Sequence, residues 1–578
     1  MSVKRYGMYL AYPPTVDLRH DGLGRYLASF LKGAEERQDL HFVLVCPNWA
    51  REGLQTLFKT EGVNSSGFEL ITPVGKPVIL RWYEAYVRYK NRVRNRSLWY
   101  RVISSLTQRL NWWVSHVERQ LGNAYSIVAL LPVFLELAVF VVLFLLLAVL
   151  LSPFFLIAGA VFAVLAGLKR GARGATAFIR QEVLKRATGA NMAQLQYLAS
   201  RFGALLHAPK DNEWVLQLYR YMEEAESERM LRLIRGMKDV RAWYSPAAFW
   251  PAFNRIQSPR LMCVPDVVLT EFPVTFSKTG GNRYLNAFEA VGEAIRGGQN
   301  FVTYSDAIKY GTLVERYGVR PQDVTTILHA PSDLSRWVSV KNVADGGATE
   351  RFYCKILIRS ALAKSSVPGY SAEFLNSSFK YLFYATQFRP NKNLTALITA
   401  YEYLLRKRHI GHKLLLTGSP QEFSPVRELI EKFSLQNDVL CLYKLPVHEL
   451  AACYKLADLA VNPSLSEGGC PFTFTEALSV GTPVVMARIP VAEEVLTDPE
   501  LQAATFFEPY DWRDMAKRIE WAIEHRDALL QLQAKTYSVL AKRTWGDVVN
   551  EHIDALERIA DAGKEQALPG AANRLRVA

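Results

Sequence analysis

The chain has 578 residues, which is too long for one hydrophobic core and predicts two or three domains. Hydrophobic residues make up 50% and charged residues 21%, a composition that excludes an intrinsically disordered chain. The formal net charge of +14 favours a partner of opposite sign, whether nucleic acid, anionic lipid or a phosphorylated substrate. Six cysteines without paired spacing indicate reduced thiols in the cytosol and argue against a disulfide framework or a zinc site.

The first part of the chain, residues 1–80, predicts the start of a Rossmann-like domain. KRYGMYLAY is a predicted strand, DGLGRYLASFLKGAEER a glycine turn into a helix, and HFVLVCP a second strand. This order of strand, helix and strand is typical of a doubly wound α/β domain. The opening segment MSVKRYGMYLAYPPT has no continuous apolar region, so we expect no signal peptide.

Residues 81–190 interrupt this domain with a basic, aromatic stretch and a long apolar run. From Arg81 to Leu121 apolar residues recur at helical spacing, and arginines occupy the other face. A solvated surface helix is one interpretation, but the adjacent apolar run favours amphipathic helices on anionic lipid.

The apolar run at 127–168 has about forty residues, enough for two membrane passes of roughly twenty residues each. Both flanks are basic, which predicts that both lie in the cytoplasm. Two crossings or a re-entrant hairpin satisfy this condition, whereas one crossing does not. The lack of a polar loop favours a shallow hairpin, in which Glu136 must be protonated, paired or near a headgroup. We therefore expect the protein at the cytoplasmic face of the inner membrane, anchored by this hairpin.

The remaining sequence predicts the rest of the first domain and a second one. Residues 191–336 complete the N-terminal domain, 337–376 form a linker or insertion, and strands alternate regularly with helices over 377–545. Such alternation predicts a parallel sheet covered on both faces. A C-terminal helix at 546–560 and a disordered tail at 561–578 follow.

Three strand ends of the second domain carry the residues that indicate chemistry. QFRPNKN supplies Arg389 and Lys392, TGSP supplies Gly418, and NPSLSEGGCPFTFTEA supplies Glu467 and Glu476. Ligands of open α/β sheets bind at these carboxyl ends, and a glycine-rich entry to a helix offers backbone N–H groups to an anion. Two cations, a helix start and two carboxylates suit a nucleotide-diphosphate sugar. The cations would contact the diphosphate, and the carboxylates would accept hydrogen bonds from hydroxyls of the sugar and the ribose.

Residues 388–393 and 413–495 resemble the C-terminal domain of a retaining GT-B glycosyltransferase of glycosyltransferase family 4. The shared positions are Pro463, Ser464, Glu467, Gly468, Glu476, Ala477, Gly481, Thr482, Pro483, Val484 and Val485. A weaker likeness covers GLGRYLASF, PDVVLTEFP and TYSDAIKYGTLVERYGV in the first half. The resemblance implies an α/β chain with two Rossmann-like domains facing across a cleft, the donor in the second and the acceptor in the first. It also implies retention at the anomeric carbon, no metal, and no cofactor beyond the nucleotide-sugar substrate.

The resemblance also implies roles for individual residues. Four are predicted to be catalytic: Arg389 and Lys392 at the leaving diphosphate, Glu467 at the donor sugar, and Asp266 as a hydroxyl partner. Glu476 is expected to hold the ribose. The remaining predicted donor-binding positions are Gly22, Gly24, Gly418, Gly468, Gly469 and Cys470.

Two positions depart from the family pattern. Eight residues separate the two glutamates, Gly468 to Thr475, where the family has seven. Pro265 stands where the family often has a histidine before the aspartate. His329 and His20 are therefore candidates for a functional histidine by location only, and a structural role remains open for both.

The prediction is a membrane-associated glycosyltransferase that moves a sugar from GDP-mannose or a UDP-sugar to a lipid-linked glycan in surface polysaccharide synthesis. The acceptor is a polyprenyl-diphosphate-linked glycan or a glycolipid, and mannose, glucose, galactose and deoxysugars all fit the donor. A non-catalytic GT-B scaffold subunit is the alternative, but a scaffold need not keep both cations and both glutamates. Nucleic acid is not an expected partner, because the basic residues cluster beside the apolar run.

Deletion of Ile127 to Leu168 should release the protein from membranes only partly. Each Lys or Arg near anionic lipid contributes on the order of 1 kcal/mol, screened within about 10 Å at 0.1 M salt. Vesicle flotation should therefore show full-length protein that resists high-salt washing and a deletion variant that salt releases. An equal loss of transfer to lipid-linked and short-chain soluble acceptors would instead mark the segment as a folding element.

Overall fold

A computed structural model describes residues 3–14, 18, 22–77, 80–81, 213–280, 282–363, 379–420, 423–443 and 445–572. The chain divides into two compact units, residues 1–75 with 216–578, and residues 76–215. The apolar run at 127–168 and nearly all of the predicted basic helices lie outside the described residues. Within the described ranges, no helix combines the length and the apolar character needed to cross a bilayer.

The N-terminal domain is built on one sheet of seven parallel strands in the order β3-β2-β1-β4-β5-β6-β7. Its strands are Lys4–Tyr9 (β1), Leu40–Val45 (β2), Phe68–Ile71 (β3), Val240–Ser245 (β4), Arg260–Cys263 (β5), Phe301–Thr303 (β6) and Val324–Thr326 (β7). The central strands are buried over successive residues on both faces, as expected for a parallel sheet covered by helices.

The C-terminal domain contains a second sheet of six parallel strands in the order β10-β9-β8-β11-β12-β13. These strands are Lys380–Tyr384 (β8), His412–Leu416 (β9), Val439–Cys441 (β10), Leu459–Asn462 (β11), Val484–Ala487 (β12) and Phe506–Phe507 (β13). Both strand orders reverse direction beside the first strand of their domain, so each sheet has a switch point where loops diverge and a ligand can enter. The predicted α/β class and the two Rossmann-like domains of the GT-B fold are confirmed.

Helices cover both sheets. Those of the N-terminal domain are Gly22–Ala34 (α1), Arg51–Glu61 (α2), Glu213–Gly236 (α3), Val268–Glu271 (α4), Pro273–Gly280 (α5) and Asn282–Gly297 (α6), with a π-helix at Ile308–Val314. Later helices are Gly346–Ala363 (α7), Leu394–Lys407 (α8), Ser424–Lys432 (α9), Val447–Leu456 (α10), Phe472–Ser479 (α11), Pro490–Val495 (α12), Pro499–Thr505 (α13), Trp512–Glu524 (α14), Arg526–Leu540 (α15) and Trp545–Ala572 (α16).

Two boundary predictions need correction. The segment 337–376, predicted to be a linker or insertion, contains α7, which buries Cys354, Ile358, Ala361 and Leu362 in the core of the C-terminal domain. Their spacing is helical, but the two glycines at the helix start made the segment seem irregular. The last helix continues to Ala572, past the predicted start of a disordered tail at 561. Lys564 to Leu568 are good helix formers, and they extend the helix past Gly563.

The last helix, α16, returns to the N-terminal domain and packs on α1. A Cβ atom built on Gly33 would lie 2.4 Å from the carbonyl oxygen of Trp545, so only glycine allows this approach. Beneath the contact, His552 Nε2 lies 3.4 Å from the hydroxyls of both Tyr26 and Tyr244, which are 3.2 Å apart. His552 Nδ1 lies 2.7 Å from the carbonyl oxygen of Val548. Because only a protonated nitrogen can bond to a carbonyl oxygen, Nε2 of the neutral ring accepts from a tyrosine.

The pH dependence of stability should report on His552. Burial lowers the pKa of His552 to about 4, whereas the unfolded chain binds this proton near the ordinary value of about 6.5. The contribution to stability is therefore complete above pH 6.5 and is lost as the pH falls to 4, by roughly 3 kcal/mol. Denaturant unfolding should show His552→Gln less stable than wild type at pH 7, with a flatter pH dependence.

His525→Gln, at an exposed histidine of the C-terminal domain, is the matched control and should follow the wild-type curve. Burial also lowers the pKa of His329, which remains in the variant, so the slope should flatten without vanishing. Equal slopes for His552→Gln and wild type would contradict the assignment.

Candidate active site

A pair of opposite charges lies where two strands of the C-terminal sheet end. Lys392 follows β8 and Glu467 follows β11, and the Lys392 ammonium donates to Glu467 Oε1 at 2.5 Å. About a fifth of each side chain is exposed. Burial by itself lowers the pKa of Lys392, but the Glu467 carboxylate, with Tyr384 and Asp266, holds that pKa above its ordinary value. Lys392 therefore stays protonated at the edge of the cleft.

Backbone contacts bring these two strand ends together. The carbonyl oxygen of Asn391 accepts from the backbone N–H of Leu465 at 2.8 Å, and the Asn391 amide donates to the carbonyl oxygen of Ser466 at 3.3 Å. Asn391 is buried, so these bonds are not exposed to competing water. They fix the residue before Lys392 against the residue before Glu467, and the ion pair follows from that register.

Arg389 and Gly418 both follow strands of the C-terminal sheet but have different roles. The Arg389 guanidinium is exposed and donates to the side-chain oxygen of Gln387 at 2.6 Å. A Cβ atom built on Gly418 would lie 2.0 Å from the ring of Phe388, so this glycine leaves space for the ring that precedes Arg389. Gly418 thus supports the loop that carries the cation.

The loop after β5 of the N-terminal domain meets the Glu467 loop across the cleft. A Cβ atom on Gly468 would lie 1.7 Å from the carbonyl oxygen of Pro265 and 3.3 Å from the backbone nitrogen of Asp266. The Ser305 hydroxyl donates to the carbonyl oxygen of Gly468 at 3.0 Å. Burial raises the pKa of Asp266, and the charge of Glu467 raises it further, whereas Lys392 and Arg389 oppose the change. The structure therefore brings together all four residues that were predicted to be catalytic.

Glu476 is the second carboxylate that was predicted for the donor site, nine residues after Glu467. It lies on α11 with 5% of its side chain exposed, and its Oε1 is 3.3 Å from Nη1 of Arg25. The hydroxyl of Ser332 donates to the same oxygen at 3.4 Å. Burial raises the pKa of the Tyr454 phenol well above its ordinary value, and the Glu476 carboxylate adds to this shift.

The other predicted glycines and histidines have distinct environments. A Cβ atom on Gly469 would lie 3.0 Å from Tyr304 and 3.2 Å from His329, while the His329 ring lies 4.4 Å from that of Phe472. His329 Nδ1 is 3.0 Å from the carbonyl oxygen of Ala330, and burial lowers the His329 pKa. His329 therefore lies in the cleft beside the Gly469–Cys470 turn, as a neutral ring at neutral pH.

The two glycines of the first helix differ from each other. A Cβ atom on Gly24 would lie 2.2 Å from the carbonyl oxygen of Leu18, so the glycine allows the backbone at Leu18 to pack against α1. The space around Gly22 is open. His20 lies outside the described residues.

A comparison with known families covers the segment that carries these residues. Residues 371–539 match the family model of Glycosyl transferases group 1. The N-terminal domain lies outside this match, although it supplies Asp266 and Arg25 to the cleft.

Curated relatives resemble parts of the chain. The serotype-specific mannosyltransferase WbdA of Escherichia coli is 27% identical over 236 residues, which are 38% of this chain and 28% of WbdA. The O-antigen chain mannosyltransferase B of Escherichia coli is 31% identical over 125 residues, which are 21% of this chain and 32% of the relative. The chain thus spans less than a third of the length of these relatives.

Solved structures resemble the chain more distantly. HepE of Anabaena in complex with UDP has a TM-score of 0.40 at 16% identity, covering 58% of this chain and 82% of HepE. The N-terminal domain of a trehalose-6-phosphate phosphatase from Candida albicans has a TM-score of 0.49 at 12% identity, covering 97% of each chain. The fold assignment rests on the strand order of the two sheets.

Sequence reasoning missed the groups that hold the predicted residues in place. Arg25, Ser332, Asn391 and Tyr384 all contact or adjoin the cleft charges. Arg25 lies between Gly24 and Tyr26 in a stretch that resembles the family only weakly, and its partner is far along the chain. Among the described residues, no cluster of His, Cys, Asp and Glu side chains has the geometry to hold a metal ion.

Gly468→Ala should prevent the close approach of the two domains. The added Cβ would collide with the backbone at Pro265, so the cleft must open while each domain keeps its own core. Small-angle X-ray scattering should show a larger radius of gyration than for wild type. Gly411→Ala, at an exposed glycine of the same domain with no atom within 4 Å, should leave it unchanged. Identical scattering from Gly468→Ala and wild type would contradict a role for Gly468 in closure.

Proposed function

We propose that the protein is a glycosyltransferase that binds a nucleotide-diphosphate sugar in the C-terminal domain and transfers the sugar to an acceptor bound at the N-terminal domain. The observation that carries this proposal is the convergence of Lys392, Glu467, Asp266 and Glu476 on one cleft between two parallel sheets. The match of residues 371–539 to the Glycosyl transferases group 1 family supports it.

The cleft provides what departure of a diphosphate requires. Negative charge on the leaving oxygen grows in the transition state, so fixed cations at that oxygen lower the barrier. Lys392 is protonated and mostly buried, and Arg389 is exposed close by, which supports a mechanism that needs no metal ion. When the diphosphate binds, Lys392 must divide its hydrogen bonds between the diphosphate and Glu467. An oxygen of the Glu467 carboxylate then becomes available for a sugar hydroxyl.

GDP-mannose is the first donor to test. The curated relatives are named as mannosyltransferases, and two of the names refer to the O-antigen chain. UDP-sugars remain in the proposal for two reasons. Only a few hydroxyl contacts distinguish one hexose from another, and no residue has been assigned to the pocket that binds the nucleotide base. A thermal-shift screen of GDP-mannose and UDP-sugars tests the donor, since a ligand bound only by the native state raises the unfolding temperature.

We further propose that the enzyme retains the anomeric configuration, belongs to glycosyltransferase family 4 and acts on a lipid-linked glycan at the cytoplasmic face of the inner membrane. The basic sequence from Arg81 and the apolar run at 127–168 support this location. Nuclear magnetic resonance of the product made from an α-linked donor tests retention. A β-linked product would contradict it.

Arg389→Ala and Lys392→Ala should each lower kcat more than they raise the donor KM, because the cations contribute most when the diphosphate carries its full charge. Steady-state kinetics with excess EDTA measure both constants. Lys407→Ala, at an exposed lysine of α8, is the matched control and should have wild-type constants. Activity within about twofold of wild type for either cleft variant would contradict the assignment.

Glu476→Ala should weaken donor binding with little loss of fold. Hydrogen bonds from ribose hydroxyls to a buried carboxylate contribute roughly 1.5–3 kcal/mol. Calorimetric titration with the donor measures the loss, and Glu428→Ala, at an exposed glutamate of α9, is the control. An unchanged Kd would exclude the ribose assignment. A wild-type protein that binds no nucleotide sugar would instead favour the non-catalytic scaffold.

A further inference from the structure

The nearly buried carboxylate of Glu476 is held at one of its two oxygens. Nη1 of Arg25 and the hydroxyl of Ser332 both bond to Oε1, at 3.3 and 3.4 Å. The phenol of Tyr454, buried beside the same carboxylate, is the other described group that interacts with Glu476. Neither Arg25 nor Ser332 uses Oε2, so this oxygen can accept a hydrogen bond from a ligand hydroxyl while Oε1 stays bound.

The cation at Oε1 comes from the opposite domain. Arg25 lies on α1, whereas Glu476 lies on α11 of the C-terminal domain. The Arg25 side chain is 43% exposed and the Glu476 side chain 5%, so the carboxylate is the more enclosed partner of the pair. A buried negative charge without a counter-charge is costly, so Glu476 depends on Arg25.

Packing fixes Arg25 in this position. The next residue, Tyr26, is buried between α1 and α16: its ring lies 5.4 Å from that of Trp545, and its hydroxyl is 3.4 Å from His552 Nε2. Ser332 is fixed as well, since its backbone N–H donates to the Thr475 hydroxyl at 3.2 Å. Both groups that bind Oε1 are therefore tied to rigid elements.

We propose that Arg25 is a positioning residue for the donor: it binds Glu476 Oε1 from the N-terminal domain and leaves Oε2 to accept from the ribose of the nucleotide. This inference rests on the proposed function, and it adds a link between ribose binding and closure of the two domains. Because Arg25 and the ribose use different oxygens, they bind together and do not compete. Removal of Arg25 should therefore weaken nucleotide binding.

Calorimetric titration with GDP and with UDP tests the sign and size of this effect. For the nucleotide that wild type binds, Arg25→Ala should raise the Kd about fivefold, the range of a half-exposed ion pair. Arg25→Lys, which keeps the charge, should have a Kd between those of wild type and Arg25→Ala. Arg232→Ala, at an exposed arginine of α3 in the same domain, is the matched control and should bind as wild type does.

Two further measurements separate positioning from a general loss of structure. In a Glu476→Ala background, Arg25→Ala should change the Kd less than twofold, because the partner through which it acts is absent. The 2′,3′-dideoxy form of the nucleotide should bind wild type and Arg25→Ala equally. Equal losses with the ribose and dideoxy forms would instead assign Arg25 to the diphosphate and overturn the proposal.

The remaining outcomes also decide the question. Tighter binding by Arg25→Ala would show that Arg25 competes with the ribose, and an unchanged Kd would show that it has no part in the site. Either result overturns this inference while leaving the proposed function intact. Failure of wild type to bind both GDP and UDP would overturn the proposed function itself.

Discussion

The ion pair between Lys392 and Glu467 is the interaction around which the cleft is organised. Two charges with about a fifth of each side chain exposed must compensate each other, and here the Lys392 ammonium donates to Glu467 Oε1. The pair exists because Asn391 joins the loops after β8 and β11 through bonds to Leu465 and Ser466.

The two domains also touch beside this ion pair, and glycine makes that contact possible. At Gly468 the backbone of one domain meets that of the other at Pro265, and Ser305 bonds to the same loop. The helix α16 reinforces this contact by returning to α1, where the Trp545 carbonyl meets Gly33 and His552 meets the Tyr26 hydroxyl. The charged residues of the cleft and the contacts between the domains therefore lie together, and Asp266 and Arg25 of the N-terminal domain reach residues of the C-terminal domain.

The positions at which the sequence differs from the family that it resembles can be understood from this geometry. Pro265 occupies the position of an often-present histidine, and its carbonyl oxygen defines the closest approach to Gly468. His329 enters the cleft from the loop after β7 and lies against Phe472 and the turn at Gly469. A neutral ring at this place can hydrogen-bond without adding positive charge near Lys392. The additional residue between the glutamates does not separate Glu467 from Lys392.

The sequence by itself determined the fold class and most of the residues of the cleft. Alternating buried strands and amphipathic helices depend on local periodicity, and the carboxyl ends of parallel strands must lie on one edge, so Arg389, Lys392, Glu467 and Glu476 could be predicted. Local composition misled where a Gly-Gly pair begins α7 and where α16 continues to Ala572. Only the tertiary structure decided which charges meet: the Arg25–Glu476 pair spans 451 positions of the chain, and Gly468 meets Pro265 across two domains. Such contacts depend on how the two sheets approach each other, and no periodicity within either segment encodes that distance.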